Sequence, residues 1–294
     1  MPTLSALFTT LPHVQLRRDR LFYLRYDGAY GALCLALFLA WPLAHRGPLL
    51  GAPTLAWAAA FPLLCHTLIL AHSYVHNAAH GNFPRAVNRA VGELCGALVV
   101  TRFASWEIVH QRHHRYSDDP ARDPHPVQRS YWRYALFTVL NVEKQLQQCF
   151  YDLHGDTRAN HAFERRRAWV SYLCNVALLA LWCRVLGPWA FFALFVPANV
   201  VAALHVIHFN WSTHDAAAPE GQHRPINLDH GYFRVGNLLW HGIYFHANHH
   251  RRTNAFNPRT ARAPGDEGLA RRPARAADSL RGMPHNGAAS EAEA

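Results

Sequence analysis

The sequence predicts an all-α integral-membrane protein with about four transmembrane helices in two hairpins, interfacial helices and a histidine-rich cytoplasmic cap. Three observations predict this fold. Charged residues make up only 16% of the 294 residues, whereas a typical soluble domain has about a quarter. Long apolar runs without Asp, Glu, Lys or Arg recur along the chain, with arginines beside them. The 22 histidines include several short motifs that lie between these runs or at their ends.

The predicted spans are four uncharged runs that cover residues 28–44, 47–71, 168–183 and 185–210. With their flanks, each run reaches the roughly 20 helical residues that cross a bilayer core. Only short connections, at 45–47 and at Arg184, separate the two members of each pair, so each pair predicts a helical hairpin. A large soluble helical core is disfavoured, because buried core helices seldom stay uncharged over such lengths.

The arginines predict the orientation of these spans. They precede the first and third runs and follow the second, and the two hairpin tips are nearly bare of charge. The positive-inside rule therefore places both termini and the middle segment in the cytoplasm, and the short loops suggest a bacterial inner membrane. Attraction to anionic headgroups explains the net charge of +10, and the absence of a nucleic-acid-binding signature argues against a nucleic-acid partner.

The other segments complete a three-part organisation. Residues 1–27 form a cytoplasmic N-terminal segment, 28–263 one membrane domain and 264–294 a disordered tail, because the tail has no apolar periodicity. Residues 90–100 are too short to span and predict a re-entrant or interfacial helix. Residues 131–150 predict an amphipathic helix on the membrane surface. The six cysteines form no CxxC pair and are interpreted as buried small apolar residues.

The histidine motifs are spaced for metal binding. In HSYVHNAAH the spacing i, i+4, i+8 puts three imidazoles on one helix face. Each HxxHH motif puts two imidazoles on one face and offsets the third toward a neighbouring metal. The members are His72, His76 and His80; His110, His113 and His114; His246, His249 and His250; and the i, i+4 pair Asn210 and His214.

This number of histidines indicates two metals. Imidazole suits iron, zinc and copper. A structural zinc site needs only four ligands, whereas nine or more candidates are present here. A lone histidine on an apolar face is usually a core residue, but two HxxHH motifs with two i, i+4 pairs are far harder to ascribe to chance.

The order HxxxH, HxxHH, HxxHH on membrane hairpins resembles the membrane fatty acid desaturase and hydroxylase superfamily. Residues 106–120, WEIVHQRHHRYSDDP, resemble its second motif, including the acidic residues and the proline that come after the histidines. The Asn210–His214 pair resembles an extra ligand pair of the acyl-CoA desaturases, in which the asparagine reaches a metal through water. The resemblance covers roughly residues 64–258 and implies a di-iron centre outside the bilayer, with a hydrophobic tunnel for an acyl chain.

The resemblance also implies a ligand set, with Asn210 as a water-mediated contact. His72, one turn before the first motif, is left out of it. The implied metal ligands are His76, His80, His110, His113, His114, His214, His246, His249 and His250.

Other polar residues are assigned supporting roles. Ligating histidines usually donate their second N–H to a carboxylate or carbonyl. Candidates are Asp118, Asp119 and Asp123, with Glu93, Glu107, Asp215 and Asp229, although a solvated acidic turn explains any single one equally well. Arg112, Arg115, Arg251 and Arg252 beside the motifs fit an anionic headgroup, an acidic electron carrier or the membrane surface. His205 and His208 are assigned to helix packing or the tunnel, and His241 to the surroundings of the ligands. The other histidines are interpreted as solvated or structural.

The leading functional interpretation is an O₂-dependent di-iron oxidoreductase that acts on a long-chain lipid, above all a fatty acyl desaturase. It requires two Fe²⁺/Fe³⁺ ions, O₂ and a fatty acid, acyl thioester or lipid. No haem, flavin or nicotinamide fingerprint occurs, so a ferredoxin-, rubredoxin- or cytochrome-type donor with its reductase is expected. Alternatives with the same motifs are a lipid or alkane hydroxylase, a carotenoid ketolase or hydroxylase, and a decarboxylase that forms terminal alkenes. A membrane metal transporter is a remote alternative, suggested by the intramembrane His205 and His208.

Overall fold

The computed structural model describes residues 54–219 and 221–260, together with the isolated positions Asp27, Ala32 and Ala36. These residues are predominantly helical, and within them the only β pairing is an isolated bridge between Asn227 and Phe245. The helices are α1 Thr54–Ala79, α2 Arg85–Leu98, α3 Phe103–Tyr116, α4 Tyr131–His154, α5 Arg158–Leu186, α6 Pro188–Ser212, α7 Gly231–Leu239 and α8 His246–Arg251.

Helix α1 lies in the core and carries the first histidine motif at its end. Leu68, Ile69 and Leu70 are at most 5% exposed, and the helix packs against α2 and α6. The second half of α1 is apolar on most faces, so neighbouring elements pack around the helix and not against one side only. The histidines at its C-terminal end are therefore held against a close-packed core.

Helices α2 and α3 approach closely at two glycines. A Cβ on Gly92 would come within 2.4 Å of the Phe103 ring, and one on Gly96 within 2.9 Å of the Thr101 carbonyl oxygen. Phe103 is only 1% exposed, so its ring has little room to move. The turn between the helices places Val100 at φ +57°, in the left-handed region. This close packing positions α3, which carries the second histidine motif.

A buried ion pair ties the start of α3 to α5. The Arg102 guanidinium donates to Glu164 at 2.9 Å, and the two side chains are 4% and 0% exposed. Arg102 also donates to Glu143 of α4 at 2.9 Å. Losing one partner of a buried pair costs about 3–5 kcal/mol, because the other charge is left without compensation. The pair thus fixes three helices relative to one another.

Helix α4 is amphipathic. Its N-cap Ser130 accepts a hydrogen bond from the Arg133 backbone N–H, and residues such as Tyr134 and Leu146 are buried. A stripe on another face is 59–72% exposed and consists of Trp132, Leu136, Val139 and Leu140. The helix therefore has the amphipathic character expected for residues 131–150, and its position on a membrane surface stays a prediction.

Helices α5 and α6 are long and apolar enough to cross a membrane. They meet at Gly187, with φ +82°, and Pro188 occupies the first turn of α6. A π-helical segment, Phe191–Phe195, precedes Pro197, whose missing N–H breaks the regular α-helical ladder. In the most apolar 18-residue stretch of each helix, 11% of α5 is buried, against 39% of α6. The apolar surface of α5 is therefore mostly exposed, unlike that of the core helix of a soluble protein.

The predicted count of four spans is not confirmed. Two candidate spans are found in the described part of the chain, α5 and α6. The third predicted run lies within α5, whereas the fourth begins in the last two residues of α5 and continues through α6. The turn therefore falls at Gly187 and Pro188, and the predicted connection at Arg184 is wrong, because α5 continues to Leu186. The first run lies outside the described residues, apart from Ala32 and Ala36. The second run is described only from Thr54, and α1 continues past it into the polar histidine motif. The predicted N-terminal segment, apart from Asp27, and the predicted tail also lie outside the described residues.

Candidate metal centre

Nine histidines converge from distant parts of the chain into two groups. The first histidine group contains His76, His80, His110, His114 and His249, and the second contains His113, His214, His246 and His250. Within each group, the nitrogen atoms that could bind a metal all lie within 4.8 Å of one another. The two groups together are the nine histidines that the family resemblance implies as ligands.

The helices explain how each HxxHH motif is divided. In α3, His110 and His114 are one turn apart and face the first group, while His113 is offset into the second. In α8, His246 and His250 face the second group and His249 reaches the first. The spacing predicts this division. Metal binding by these nitrogens remains a prediction.

The Nε2 atoms point at one another. In the first group His80 Nε2 lies 2.8 Å from His110 Nε2, and His249 Nε2 lies 3.1 Å from His114 Nε2. In the second group His246 Nε2 lies 2.9 Å from His214 Nε2 and 3.1 Å from His250 Nε2. Imidazole nitrogens around a shared cation are arranged in this way.

The donor set fits two transition-metal ions. Each group offers only imidazole nitrogens, which suit iron, zinc and copper. Two of the histidines, His214 and His246, are only 1% exposed. The Nε2 atom of His76, in the first group, is buried and has no hydrogen-bond partner. A bound cation would satisfy this otherwise orphaned atom.

Two buried carboxylates support the second histidine group. Asp123 accepts from His113 Nδ1 at 2.9 Å, and Asp118 accepts from His214 Nδ1 at 2.9 Å. The Asp118 backbone N–H donates to Asp123 at 2.7 Å, which links the two carboxylates. Such pairs fix the ring orientation and raise the basicity of the ligand.

The third acidic candidate of this loop has a different role. Asp119 binds the Arg122 side chain and the backbone N–H groups of Ala121 and Arg122. It therefore stabilises the turn. For Asp123, burial favours the protonated form, but hydrogen bonds from the His113 ring and the His125 backbone N–H, together with the electrostatic effect of the two imidazoles, outweigh it and lower the pKa of the carboxyl.

Burial favours the neutral form of most imidazoles in the two groups. Desolvation, helped by the neighbouring His113, lowers the pKa of His80 from 6.5 to about 4. Desolvation and the surrounding histidines also hold the pKa values of His110, His246, His249 and His250 well below 6.5. Neutral imidazole is the form that binds metals, so the site is ready for a metal at neutral pH.

Aromatic and amide side chains hold the histidine-bearing helices. The Trp106 ring stacks on His110 with centroids 4.6 Å apart, and Phe209 packs edge-on against His246 at 4.9 Å. Asn227 bonds to both the backbone N–H and the side chain of Asn248, inside the third motif. The Trp106 contact results from its i, i+4 spacing to His110, whereas no local pattern pointed to Asn227.

Several predicted residues lie outside both groups. His72 belongs to neither group. Asn210 is half-buried one turn before His214, so its water-mediated contact stays a prediction. His205 bonds to the Tyr232 hydroxyl at 2.7 Å, which fits a packing role.

The other three histidines considered as supporting or structural residues make contacts of different kinds. His208 packs on the rings of Tyr131, Trp211 and Phe233. His241 bonds to Asp27 at 2.5 Å. His125, assigned to the solvated or structural histidines, has its ring 5.9 Å from that of His113, so it adjoins the second group.

The remaining carboxylates and arginines serve mainly structural contacts. Glu93 and Glu107 bind Arg89, and Asp229 accepts from Asn237. Arg112 pairs with Asp152, and Arg251 donates to Asn248. Asp215 accepts from His223 through its backbone oxygen. These contacts leave Asp118 and Asp123 as the carboxylates that support the histidine groups within the described residues.

The comparisons with known proteins identify one family. The family model described as fatty acid desaturase matches residues 52–255, which is more than half of the chain and includes all nine histidines. Neither the curated proteins nor the solved structures gave a match.

Proposed function

The chain belongs to the fatty acid desaturase family, and on that premise we propose that it is an integral-membrane di-iron oxidoreductase that desaturates a fatty acyl chain. The observation that carries this proposal is the pair of adjacent all-histidine groups. One metal would be held by His76, His80, His110, His114 and His249, and the other by His113, His214, His246 and His250. Asn210 is proposed to contact a metal through water.

Iron is the metal proposed for both positions. When bound, it supplies the one-electron changes and the O₂ chemistry that attack on an unactivated C–H bond requires. The chain orients the imidazoles through Asp118 and Asp123 and holds the helices with buried aromatic rings. A cavity of about 20 Å³ beside His76 and His249 is large enough for one water-sized molecule.

The reaction needs an external electron donor. Forming a double bond removes two hydrogens from the substrate, and reducing O₂ to two waters takes up two further electrons and two protons. A ferredoxin-, rubredoxin- or cytochrome-type protein with its reductase is proposed as the source. Arg115, Arg251 and Arg252 are exposed beside the histidine motifs and suit an acidic carrier. Turnover of the purified protein with NADH alone would contradict this requirement.

Hydroxylation, carotenoid oxidation and decarboxylation remain the alternatives within the same chemistry. They differ from desaturation in the fate of the substrate after hydrogen removal, which depends on the placement of one substrate carbon. Mass spectrometry of the product distinguishes them, because desaturation loses two hydrogens, hydroxylation or ketolation gains oxygen, and decarboxylation loses one carbon. The metal-transporter alternative loses its main support, because His205 and His208 belong to neither group and contact aromatic side chains.

The proposal includes a membrane topology. Helices α5 and α6 form one hairpin, and residues 28–44 with 47–71 form the second. The arginine distribution places the termini and the metal centre in the cytoplasm of a bacterial cell.

The deciding experiment is metal analysis of detergent-purified protein, with Mössbauer spectroscopy on an iron-enriched sample. We expect about two irons per chain, coupled to each other, in line with two groups of imidazole ligands. His249→Ala should lose iron and activity and still insert, whereas His161→Ala, at an exposed position that pairs with Asp156, should keep both. One zinc per chain, no metal after anaerobic iron reconstitution, or full turnover by the His249 variant would contradict the proposal.

A further inference from the structure

A second cavity lies away from the histidine groups. It has a volume of about 480 Å³, within the roughly 300–1,000 Å³ typical of ligand pockets. It is formed by α2, the start of α3 and α5, and none of the nine histidines lines it. Its walls are apolar at Ala97, Phe103 and Val170, with arginines among the other lining residues.

The cavity runs along the part of α5 that enters the candidate membrane span. Its α5 lining runs from Arg166 to Asn175, about 13 Å along the helix. Val170, between them, is 57% exposed, so the cavity opens on the outer surface of α5. Farther along, Leu173 and Val176 continue the exposed apolar surface at 64% and 63%.

Asn175 provides a buried donor without an acceptor. The residue is 5% exposed, and its Nδ2 atom has no hydrogen-bond partner among the described residues. A buried unsatisfied donor costs about 1–3 kcal/mol. Hydrocarbon offers no acceptor in place of water, so an oxygen atom of a molecule in the cavity would satisfy this amide.

Arg166 provides a positive charge that no carboxylate of the described residues neutralises. The other arginines of the cavity are paired: Arg89 with Glu93 and Glu107, Arg102 with Glu143 and Glu164, and Arg167 with Glu164. The guanidinium of Arg166 is exposed and lies 5.7 Å from the Phe163 ring centroid, and no ion pair to it occurs within the described part of the chain.

We propose that this cavity binds one anionic phospholipid of the surrounding bilayer. Its phosphate pairs with Arg166, its glycerol region lies against Val170 and Phe103, and an ester carbonyl accepts a hydrogen bond from Asn175 Nδ2. The acyl chains continue over Leu173 and Val176. Basic pockets beside membrane-spanning helices bind anionic headgroups for the same electrostatic reason. The lipid site rests on α5 being embedded in the membrane and is independent of the reaction at the metals.

The test is native mass spectrometry of the full-length protein with equal amounts of phosphatidylglycerol and phosphatidylcholine of identical chains. The wild type should retain phosphatidylglycerol in preference. Arg166→Gln should lower this retention about fivefold, because that is the contribution of one arginine to binding at an anionic surface. Arg165→Gln is the matched control, because Arg165 is the exposed neighbour that does not line the cavity.

Two further variants test the depth of the site. Val170→Trp, made at an exposed position, should fill the cavity and reduce retention. Asn175→Leu should also reduce it, whereas in an empty cavity it would raise the melting temperature and leave lipid retention unchanged. Equal retention of both lipids by the wild type, or equal losses in the Arg166 and Arg165 variants, would overturn the proposal. The metal content of every variant should equal that of the wild type, which separates this result from the test of the di-iron centre.

Discussion

His113 and His214 differ from the other seven histidines because a buried carboxylate accepts a hydrogen bond from each ring. Both belong to the second histidine group, and no such pair supports the first group within the described residues. Two negative charges beside one metal position make its ligands more basic and more firmly oriented. The second group is therefore expected to bind its metal more tightly.

Replacing Asp123 with Asn should weaken that position selectively. We expect a loss of about 10–100-fold in affinity for one of two metals, the usual effect of removing a carboxylate behind a ligating histidine. Metal titration of the apoprotein measures it. Asp119→Asn is the control in the same loop, because Asp119 binds Arg122 and no histidine. Equal weakening by both variants would assign the effect to the loop and not to the carboxylate–histidine pair.

The neutral histidines predict how the metal-free protein responds to acid. In the folded state burial lowers the pKa of His80 to about 4, against 6.5 in the unfolded chain. The unfolded state therefore binds more protons between these values, so stability is fully present above pH 6.5 and is lost as the pH falls toward 4. Thermal unfolding of apoprotein at pH 7.5 and pH 5 should show a lower Tm at pH 5. An unchanged Tm would mean that these rings are not buried in the apoprotein.

At the residue scale the sequence predicts which histidines come together better than it predicts the side chains that support them. Fixed helical spacing assigns His110 and His114 to one face and His113 to another. The choice of Asp118 over Asp119 depends on a left-handed backbone, φ +63° at Asp118, that turns its carboxylate toward His214. Spacing cannot predict such a contact between residues 96 positions apart.

At the scale of the elements, the contact between α2 and α3 depends on Gly92. Gly92→Ala would place a methyl group 2.4 Å from the buried Phe103 ring, and overpacking of this kind costs about 1–3 kcal/mol. We expect a lower Tm and weaker metal retention, because α3 carries three of the nine histidines. Leu94→Ala, on the exposed face of α2, should change neither. A wild-type Tm in the Gly92 variant would show that the two helices can separate freely.

Helix types were easier to predict than helix ends. The uncharged run 168–183 lies within α5, and most of the run 185–210 lies within α6, but Gly187 and Pro188 form the boundary in place of the predicted Arg184. The start of α5 at Arg158, ten residues before the apolar run, was not predicted. Thr157 caps the helix there by accepting from Asn160, and charged turns precede the apolar part.

At the scale of the whole molecule, the exposed stripe of α4 predicts how the protein meets the bilayer. A spin label at Leu140 should be accessible to apolar O₂, and one at Gln148, on another face, to a polar nickel chelate. Accessibility measurements in a background without the six native cysteines test this. The opposite order would place α4 in contact with solvent or with another protein.

The sequence predicts the fold class and the residues that form the candidate site. Low charge content and apolar runs predict an all-helical membrane protein, and the histidine spacing predicts two metal positions. The number of spans is harder to predict, because α1 combines an apolar half that packs in the core with polar histidines at its end. Composition alone cannot distinguish such a helix from a lipid-facing one.

The histidines of each group are spread widely along the chain. The first group extends from His76 to His249 and the second from His113 to His250. During synthesis, neither group is complete until the third motif, residues 246–250, has left the ribosome. Under the proposed function, metal insertion is therefore a late step of biogenesis. A truncated or misinserted chain retains only part of each ligand set, so metal loading can act as a quality check on the finished protein.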